Sequence, residues 1–338
     1  MKLPIEKTHR RAYYRLCEEV FDSNFLSEGK MNERFAAAFG KSAGANAWPV
    51  TNCGLGLMAL LSLAGVKGKE VIIPANTFMA DAFAAHFAGG KPVLADCNRN
   101  DLCLSVEDVA RKITSRTGAV IVTHIGGHLA FDINELAQLC RRKRIPLIED
   151  CAHAHGAAWN GRTAGTFGWA GVYSFYSTKT MPLGEGGMFV SRDAKVIAAA
   201  KKFINYSKWD YTPPGMNCRM SELMAAFGLV QLKRLPAILK WKRVLAKKYD
   251  RIFARRVEFP AGMVSGYYKY IVFDYALREE TGKVFADPCQ RYLQRAGKLP
   301  NSEWVAQHHA CPPIWYGWEQ AKLPQAKLRK VLLAEAGK

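Results

Sequence analysis

The segment SFYSTKTMPLGEGG places Lys179 after an apolar run and before a glycine-rich turn at 184–187, with Ser174 a few residues upstream. An amine at the end of a buried strand can form a Schiff base with a carbonyl compound. A solvated surface cation is the ordinary alternative for a lysine, but a turn of glycines lets backbone approach a ligand closely. Asp150 closes the apolar run IPLIED. A carboxylate buried there is costly without a cation, and a protonated pyridine nitrogen is one cation that would fit. Helix N-capping is the competing use of such an aspartate. In TNCGLGLMALL, glycines stand where a strand runs into a helix, so free N–H groups and the helix dipole would favour an anion such as a phosphate. The Ser174 hydroxyl could add a further donor. No Lys-Ser/Thr pair follows these glycines, which excludes a nucleotide P-loop. An amine, a carboxylate facing a ring nitrogen and a phosphate cradle together describe a site for pyridoxal 5'-phosphate.

The elements that would position these groups have a clear rhythm. Short apolar runs (AWPVTN, EVIIPA, PVLADC, AVIVTHIGG, PLIED) alternate with helical patterns, which predicts a mostly parallel sheet covered on both faces. Before them, the chain to about Lys41 reads as helix, loop and helix. After His155, GVYSFYS and GGMFVSR read as adjacent strands, followed by a helix over 194–203 and a Pro/Gly loop at 209–215. A long helical tract over 221–253 is expected to be interrupted near Pro236. YYKYIVFDY reads as a strand and VFADPCQRYLQRAG as a helix. A domain boundary is placed near Arg243, giving a large domain over 1–243 and a small α+β domain over 244–338. Ligand groups gather at the carboxyl ends of strands in open α/β sheets. Those ends carry Cys53 and Gly54; Asn76, Thr77 and Phe78; His124; Asp150 to His153; and Ser174 to Lys179.

Several blocks in order resemble the DegT/DnrJ/EryC1/StrS sugar aminotransferases, within pyridoxal-phosphate fold type I. They are VTNCGLGLMAL, EVIIPANTFMADAFAAHFAGGKPVLAD, the stretch from AVIVTHIGG through IEDCAHAHGA, VYSFYSTKTMPLGEGGMFVSRD, and MNCRMSELMAAFGLVQLKRL. Specific motifs cover roughly residues 15–250. The resemblance implies that Lys179 carries the cofactor and later moves a proton, and that Asp150 pairs with the pyridine nitrogen. It implies that Phe78 stacks on the ring, while Ser174 and the backbone of Gly54 and Leu55 hold the phosphate. His153 would lie near the phenolic oxygen. Asn217, in the G-x-N-x-R segment, would reach the phosphate of a neighbouring subunit's cofactor, which implies a homodimer with shared sites. The chain departs from the family pattern in three places. Leu55 stands where a hydroxyl residue is usual, His153 where glutamine is more frequent, and Asn205-Tyr206-Ser207 where His-Gly is common. The implied reaction moves an amino group from glutamate or glutamine to a keto-sugar carried on a nucleoside diphosphate. Dehydratases resembling this family replace the lysine with histidine, so Lys179 favours transamination over a dehydratase or a cyclitol- or aminobenzoate-type enzyme. Lys179 and Asp150 together also argue against a non-catalytic regulator.

With 338 residues, 49% of them hydrophobic and 23% charged, the chain is an ordinary globular protein and neither disordered nor fibrous. The 48 Lys and Arg exceed the 29 Asp and Glu to give +19, which would attract an anionic substrate. A basic run over 233–248 reads as a solvated helix face, since no nucleic-acid reader motif accompanies it. The nine cysteines form no C-x-x-C pair and read as reduced thiols. Cys53 and Cys151 are expected to pack, and His124 to line the sugar pocket or cap its strand. No metal is expected, because the histidines lack partners at ligand spacing. WVAQHHACPPIWYGW reads as small-domain core. The N-terminus lacks an apolar leader and no apolar stretch reaches membrane-spanning length, so a cytoplasmic location is expected.

Overall fold

The computed structural model describes residues 4–293 and 297–333. Helices α1 (Lys7–Ser23) and α2 (Lys30–Ala43) lead into a seven-stranded sheet. Its strands are β1 (Asn46–Val50), β2 (Glu70–Pro74), β3 (Lys91–Ala95), β4 (Thr117–Thr123), β5 (Leu147–Asp150), β8 (Ala170–Ser174) and β9 (Gly187–Ser191). The spatial order is β1-β9-β8-β5-β4-β2-β3, and only β9 runs against the others. Two short hairpin strands, β6 (Ala158–Trp159) and β7 (Arg162–Thr163), join β10 (Met263–Val264) in a small side sheet.

Val71, Ile72, Ile73, Val120, Ile121, Val122 and Ile148 are fully buried, as continuous apolar runs in a doubly covered sheet should be. One face is covered by α3 (Cys53–Leu63), α4 (Ala80–Phe87) and α7 (Ala194–Phe203), whose apolar side chains share one cluster. The other is covered by α2, α5 (Val106–Lys112), α6 (Ile133–Lys143) and the first half of α8 (Glu222–Tyr249). α3 is apolar on all sides because it lies between the sheet and its neighbouring helices.

The carboxyl-terminal part has its own core of Leu245, Tyr249, Phe253, Tyr270, Val272, Ile314, Trp318, Leu328 and Leu332. It contains β11 (Val272–Phe273) paired with β12 (His309–Ala310), and helices α9 (Cys289–Tyr292), α10 (Pro300–His308) and α11 (Gln325–Leu332). Of the aromatic tail expected as small-domain core, Ala310, Ile314 and Trp318 belong to this core, whereas Val305 and Cys311 pack in the cluster under the main sheet and Trp315 and Tyr316 are half-buried.

Three expectations need correction. α8 runs through Pro236 without a break. Leu232 and Pro236 both line a cavity of about 630 Å³ beside the helix, where the proline ring and the carbonyl it leaves unbonded have room. The strand expected over YYKYIVFDY shrinks to β11, because Gly266 N–H and Lys269 N–H donate to the carbonyls of Gly127 (2.7 Å) and Gly126 (2.8 Å) instead of to a ladder. Of the helix expected in VFADPCQRYLQRAG, only α9 forms among the described residues, and 294–296 lie outside them.

The basic run on α8 is also more than a solvated face. Arg234 and Lys242 are buried. Lys242 Nζ donates to Tyr267 O at 2.9 Å, Arg243 to Ser265 O and Gly156 O, and Lys248 to Ala321 O at 2.7 Å. These cations fasten α8 to backbone carbonyls of neighbouring loops, which helical spacing alone does not reveal.

Candidate active site

Asp150 is the last residue of β5 and is buried. Its Oδ1 accepts Ala152 N–H at 2.8 Å and faces Cys53 Sγ, the first residue of α3, at 3.6 Å. No helix follows Asp150, so its carboxylate closes a local turn and does not cap a helix. No cation pairs with it among the described residues. The Cys53 thiol is pushed well above its ordinary value, first by burial and then by the Asp150 and Asp81 carboxylates, while Lys179 opposes them. Cys53 therefore touches the site, where packing alone had been expected. Cys151 does only pack, with its thiol toward Glu149 O.

Lys179 lies half-buried in the loop after β8, its N–H bonded to Tyr176 O at 2.9 Å. Its amine has no acid partner among the described residues and stands 5.0 Å from the centre of the Tyr268 ring. Tyr268 in turn lies flat on His153, with centroids 4.0 Å apart and planes 17° from parallel. Enclosure of the His153 ring, then the Lys179 and Lys269 ammonium groups, pushes its pKa well below the ordinary value, so the ring is neutral at neutral pH. His153 Nδ1 is buried without a partner.

Tyr268 was not singled out by the sequence, yet a signal for its placement was present. The Gly-Gly pair after β4 has Gly127 at φ 104°, where a Cβ would come within 2.4 Å of Tyr268 N. Only glycine lets the 266–268 backbone come this close. The glycines of the 184–187 turn serve partly elsewhere: a Cβ on Gly187 would strike Cys53 N and the Asn52 carbonyl carbon, so that glycine seats β9 against the start of α3.

At that start, Asn52 caps the helix by accepting Leu55 N–H at 2.9 Å. Leu55 has thus committed its N–H to the cap, while those of Cys53 and Gly54 have no intrahelical acceptor. A Cβ on Gly54 would make only ordinary contacts, so its role is not steric. Ser174 ends β8, and its Oγ accepts Tyr176 N–H at 3.3 Å, which leaves its hydroxyl hydrogen to donate. Phe78, before α4, is 80% exposed, an aromatic ring with nothing packed on it. Asn217 is exposed on a loop bridged to Asn205, and its Oδ1 accepts Arg219 N–H at 3.3 Å.

His124 does not line a pocket. It is fully buried, accepts Ala130 N–H at Nδ1 (3.1 Å) and therefore donates from Nε2 to Glu149 Oε2 (2.9 Å). Glu149 also accepts the N–H groups of Gly165, Phe167 and Gly168. This strut braces β5, next to Asp150. His155, between Tyr173 and Phe175, is a buried neutral ring whose pKa burial lowers to about 3.

The donor set fits pyridoxal 5'-phosphate. A buried carboxylate lacks a cation, an amine lacks an acid, an exposed aromatic ring is free to stack, and a helix N-terminus and a hydroxyl are free for a phosphate. Lys179, Asp150, Phe78, Ser174, Gly54 and His153 are the residues that would hold it.

Known proteins are similar to this chain in sequence and in shape. A GDP-perosamine synthase of Vibrio cholerae is 38% identical over 239 residues, covering 68% of this chain and 65% of that protein's length. The structure of the aminotransferase TlmJ from Streptoalloteichus hindustanus superposes with a TM-score of 0.85 at 30% identity, covering 97% of this chain and 94% of that one. DesI, solved in the presence of its TDP-sugar product, matches with a TM-score of 0.85 at 27% identity over 95% of this chain and 88% of its own. The family model matches residues 8–277, and the chain belongs to the DegT/DnrJ/EryC1/StrS aminotransferase family.

Proposed function

We propose that this chain is a pyridoxal-phosphate-dependent aminotransferase that moves an amino group from glutamate or glutamine to a nucleotide-linked keto-sugar. The observation that carries this reading is the Lys179 amine. It lacks an acid partner, borders Tyr268 and belongs to the neighbourhood of Asp150 through Cys53. Bound pyridoxal phosphate supplies a ring that accepts the electrons released when a substrate C–H bond breaks. Asp150 would hold the positive charge on the ring nitrogen, Phe78 would stack on the ring, and Cys53 N–H, Gly54 N–H and Ser174 would hold the phosphate. His153 donates or accepts at its free Nδ1. Lys179 would hold the cofactor through its amine and, once the incoming amino donor displaces that amine, would move the proton. GDP and TDP in the names of similar proteins, with the +19 charge of this chain, support a nucleotide-linked acceptor.

The same reading makes the enzyme a homodimer in which Asn217 reaches the partner's phosphate site, and the exposure of Asn217 and Phe78 leaves both free to meet a second copy. It also keeps a large and a small domain, divided at α8. The experiment is spectroscopic. Purified protein with pyridoxal phosphate is mixed with glutamate, with glutamine and with other amino acids in turn, and the visible cofactor band is followed. Bleaching by glutamate or glutamine, restored by a nucleotide-linked keto-sugar, is the expected result. A band that no amino acid bleaches would reject the proposal.

A further inference from the structure

Asp81, in the first turn of α4, is fully buried although its segment reads as an ordinary helix. Its Oδ2 accepts the hydroxyls of Thr77 and Thr123, each at 2.7 Å. Its Oδ1 has no donor. Thr123 is the cross-strand partner of Asp150 in the sheet, which brings the Asp81 and Asp150 carboxyls side by side. Asp150 in turn uses only Oδ1 toward Cys53 and Ala152. No cation pairs with either acid among the described residues.

Two adjacent buried carboxylates cannot both remain charged without a cation, so one holds a proton. Enclosure decides which: Asp81 is fully buried with its Oδ1 unpartnered, while Asp150 keeps slight exposure at the site. Asp81 Oδ2 is saturated by two hydroxyl donors, so a proton on Asp81 sits on Oδ1, the atom without a donor. We propose that Asp81 is held as the neutral acid and donates its hydrogen from Oδ1 to Asp150, so that the two carboxyls form a one-proton pair. Asp81 is then a positioning residue. It orients Asp150 and, given the cofactor reading above, limits how much negative charge Asp150 presents to the ring nitrogen.

The titratable groups around Asp81 are Asp150 from β5, Cys53 from α3 and Cys289 from α9. Burial first, then the Asp150 charge, raises the Asp81 carboxyl well above the usual carboxylate range, against the pull of the two threonine hydroxyls. The pair differs from a shared catalytic dyad because its neutral member is fixed by deeper enclosure, against the pull of the two threonine hydroxyls.

Asp81→Asn copies a neutral acid in shape and charge. The infrared difference spectrum of the wild-type and Asp81→Asn apoproteins, both labelled at aspartate and measured at neutral pH, should contain a protonated-carboxyl C=O band. Carboxylate bands in its place would overturn the proposal. This readout does not need the cofactor, so it stands even if pyridoxal phosphate fails to bind the wild type, which would reject the functional reading alone. Where the cofactor binds, Asp81→Asn should keep its affinity within about threefold of wild type, and Asp81→Ala should lose more. A larger loss in Asp81→Asn would mean that Asp81 works as a charge, against the proposal. Should Asp81→Asn not fold, Asp101→Asn removes the other described aspartate whose carboxyl burial raises, to about 7. The band must survive in that variant, and its disappearance would overturn the proposal.

Discussion

His153 lies flat against Tyr268, ring to ring at 4.0 Å, so a loop of the parallel sheet and a segment beyond α8 share one wall beside Lys179. An aromatic pair of this kind contributes about 1 kcal/mol beyond its buried area. Tyr268→Leu should lower the unfolding free energy by about that amount, whereas Tyr268→Phe should leave it nearly unchanged, because the ring makes the stack. Denaturant unfolding of both variants checks this. Equal losses would place the contribution in the Tyr268 hydroxyl, 3.4 Å from Thr178 Oγ1.

Asp150→Asn removes the charge but keeps an oxygen for Ala152 N–H and the Cys53 thiol. Its thermal midpoint should stay close to wild type, while transamination falls by about a hundredfold or more as the ring nitrogen loses its counter-charge. Wild-type turnover in a folded Asp150→Asn protein would mean that the carboxylate serves only the local turn.

Much of this site is legible in the sequence, and the reasons are physical. β4 is apolar between its threonines and an apolar Ile-Pro-Leu-Ile leads into Glu149 and Asp150, so Asp150 at a buried strand end and Lys179 beyond β8 can be placed without a structure. Asp81 cannot, because FMADAFAAHF has the pattern of a helix with one acidic residue. Only the packing of α4 on the sheet turns that residue toward Thr123 and Asp150. Tyr268 is hidden for a different reason. Its neighbours alternate like a strand, and the Gly126-Gly127 pair that captures it lies far away in sequence. The carbonyl-bound cations of α8 are equally silent in the sequence, since a lysine that docks on backbone has no acidic partner to announce it.

Lys242 is the clearest of these. Burial, then the Lys269 charge, lowers its pKa from 10.5 to about 7. The unfolded chain therefore binds the proton more tightly, and between those two values stability rises with pH as the cost of burying the charge disappears. Lys242→Met should be more stable than wild type near pH 7 and below, on the order of 2 kcal/mol after its lost hydrogen bonds are allowed for, and that advantage should shrink toward pH 10.5. Unfolding free energies of both proteins across this range test it. A gap that does not change with pH would contradict it.

Asn217 is exposed on its loop, and the proposed dimer would bring it to the partner's site. Mixing an Asn217→Ala chain with a Lys179→Ala chain should restore part of the activity, because one site of a mixed dimer collects both defects and the other neither. No recovery despite demonstrated subunit exchange would mean that each chain completes its own site.

The most direct measurement is on Lys179. Protein purified with pyridoxal phosphate is reduced with borohydride, digested and examined by mass spectrometry. A reduced pyridoxyl group on the peptide that contains Lys179, absent from Lys179→Ala, is the predicted result. A cofactor that binds yet is trapped on another lysine, or on none, would contradict it.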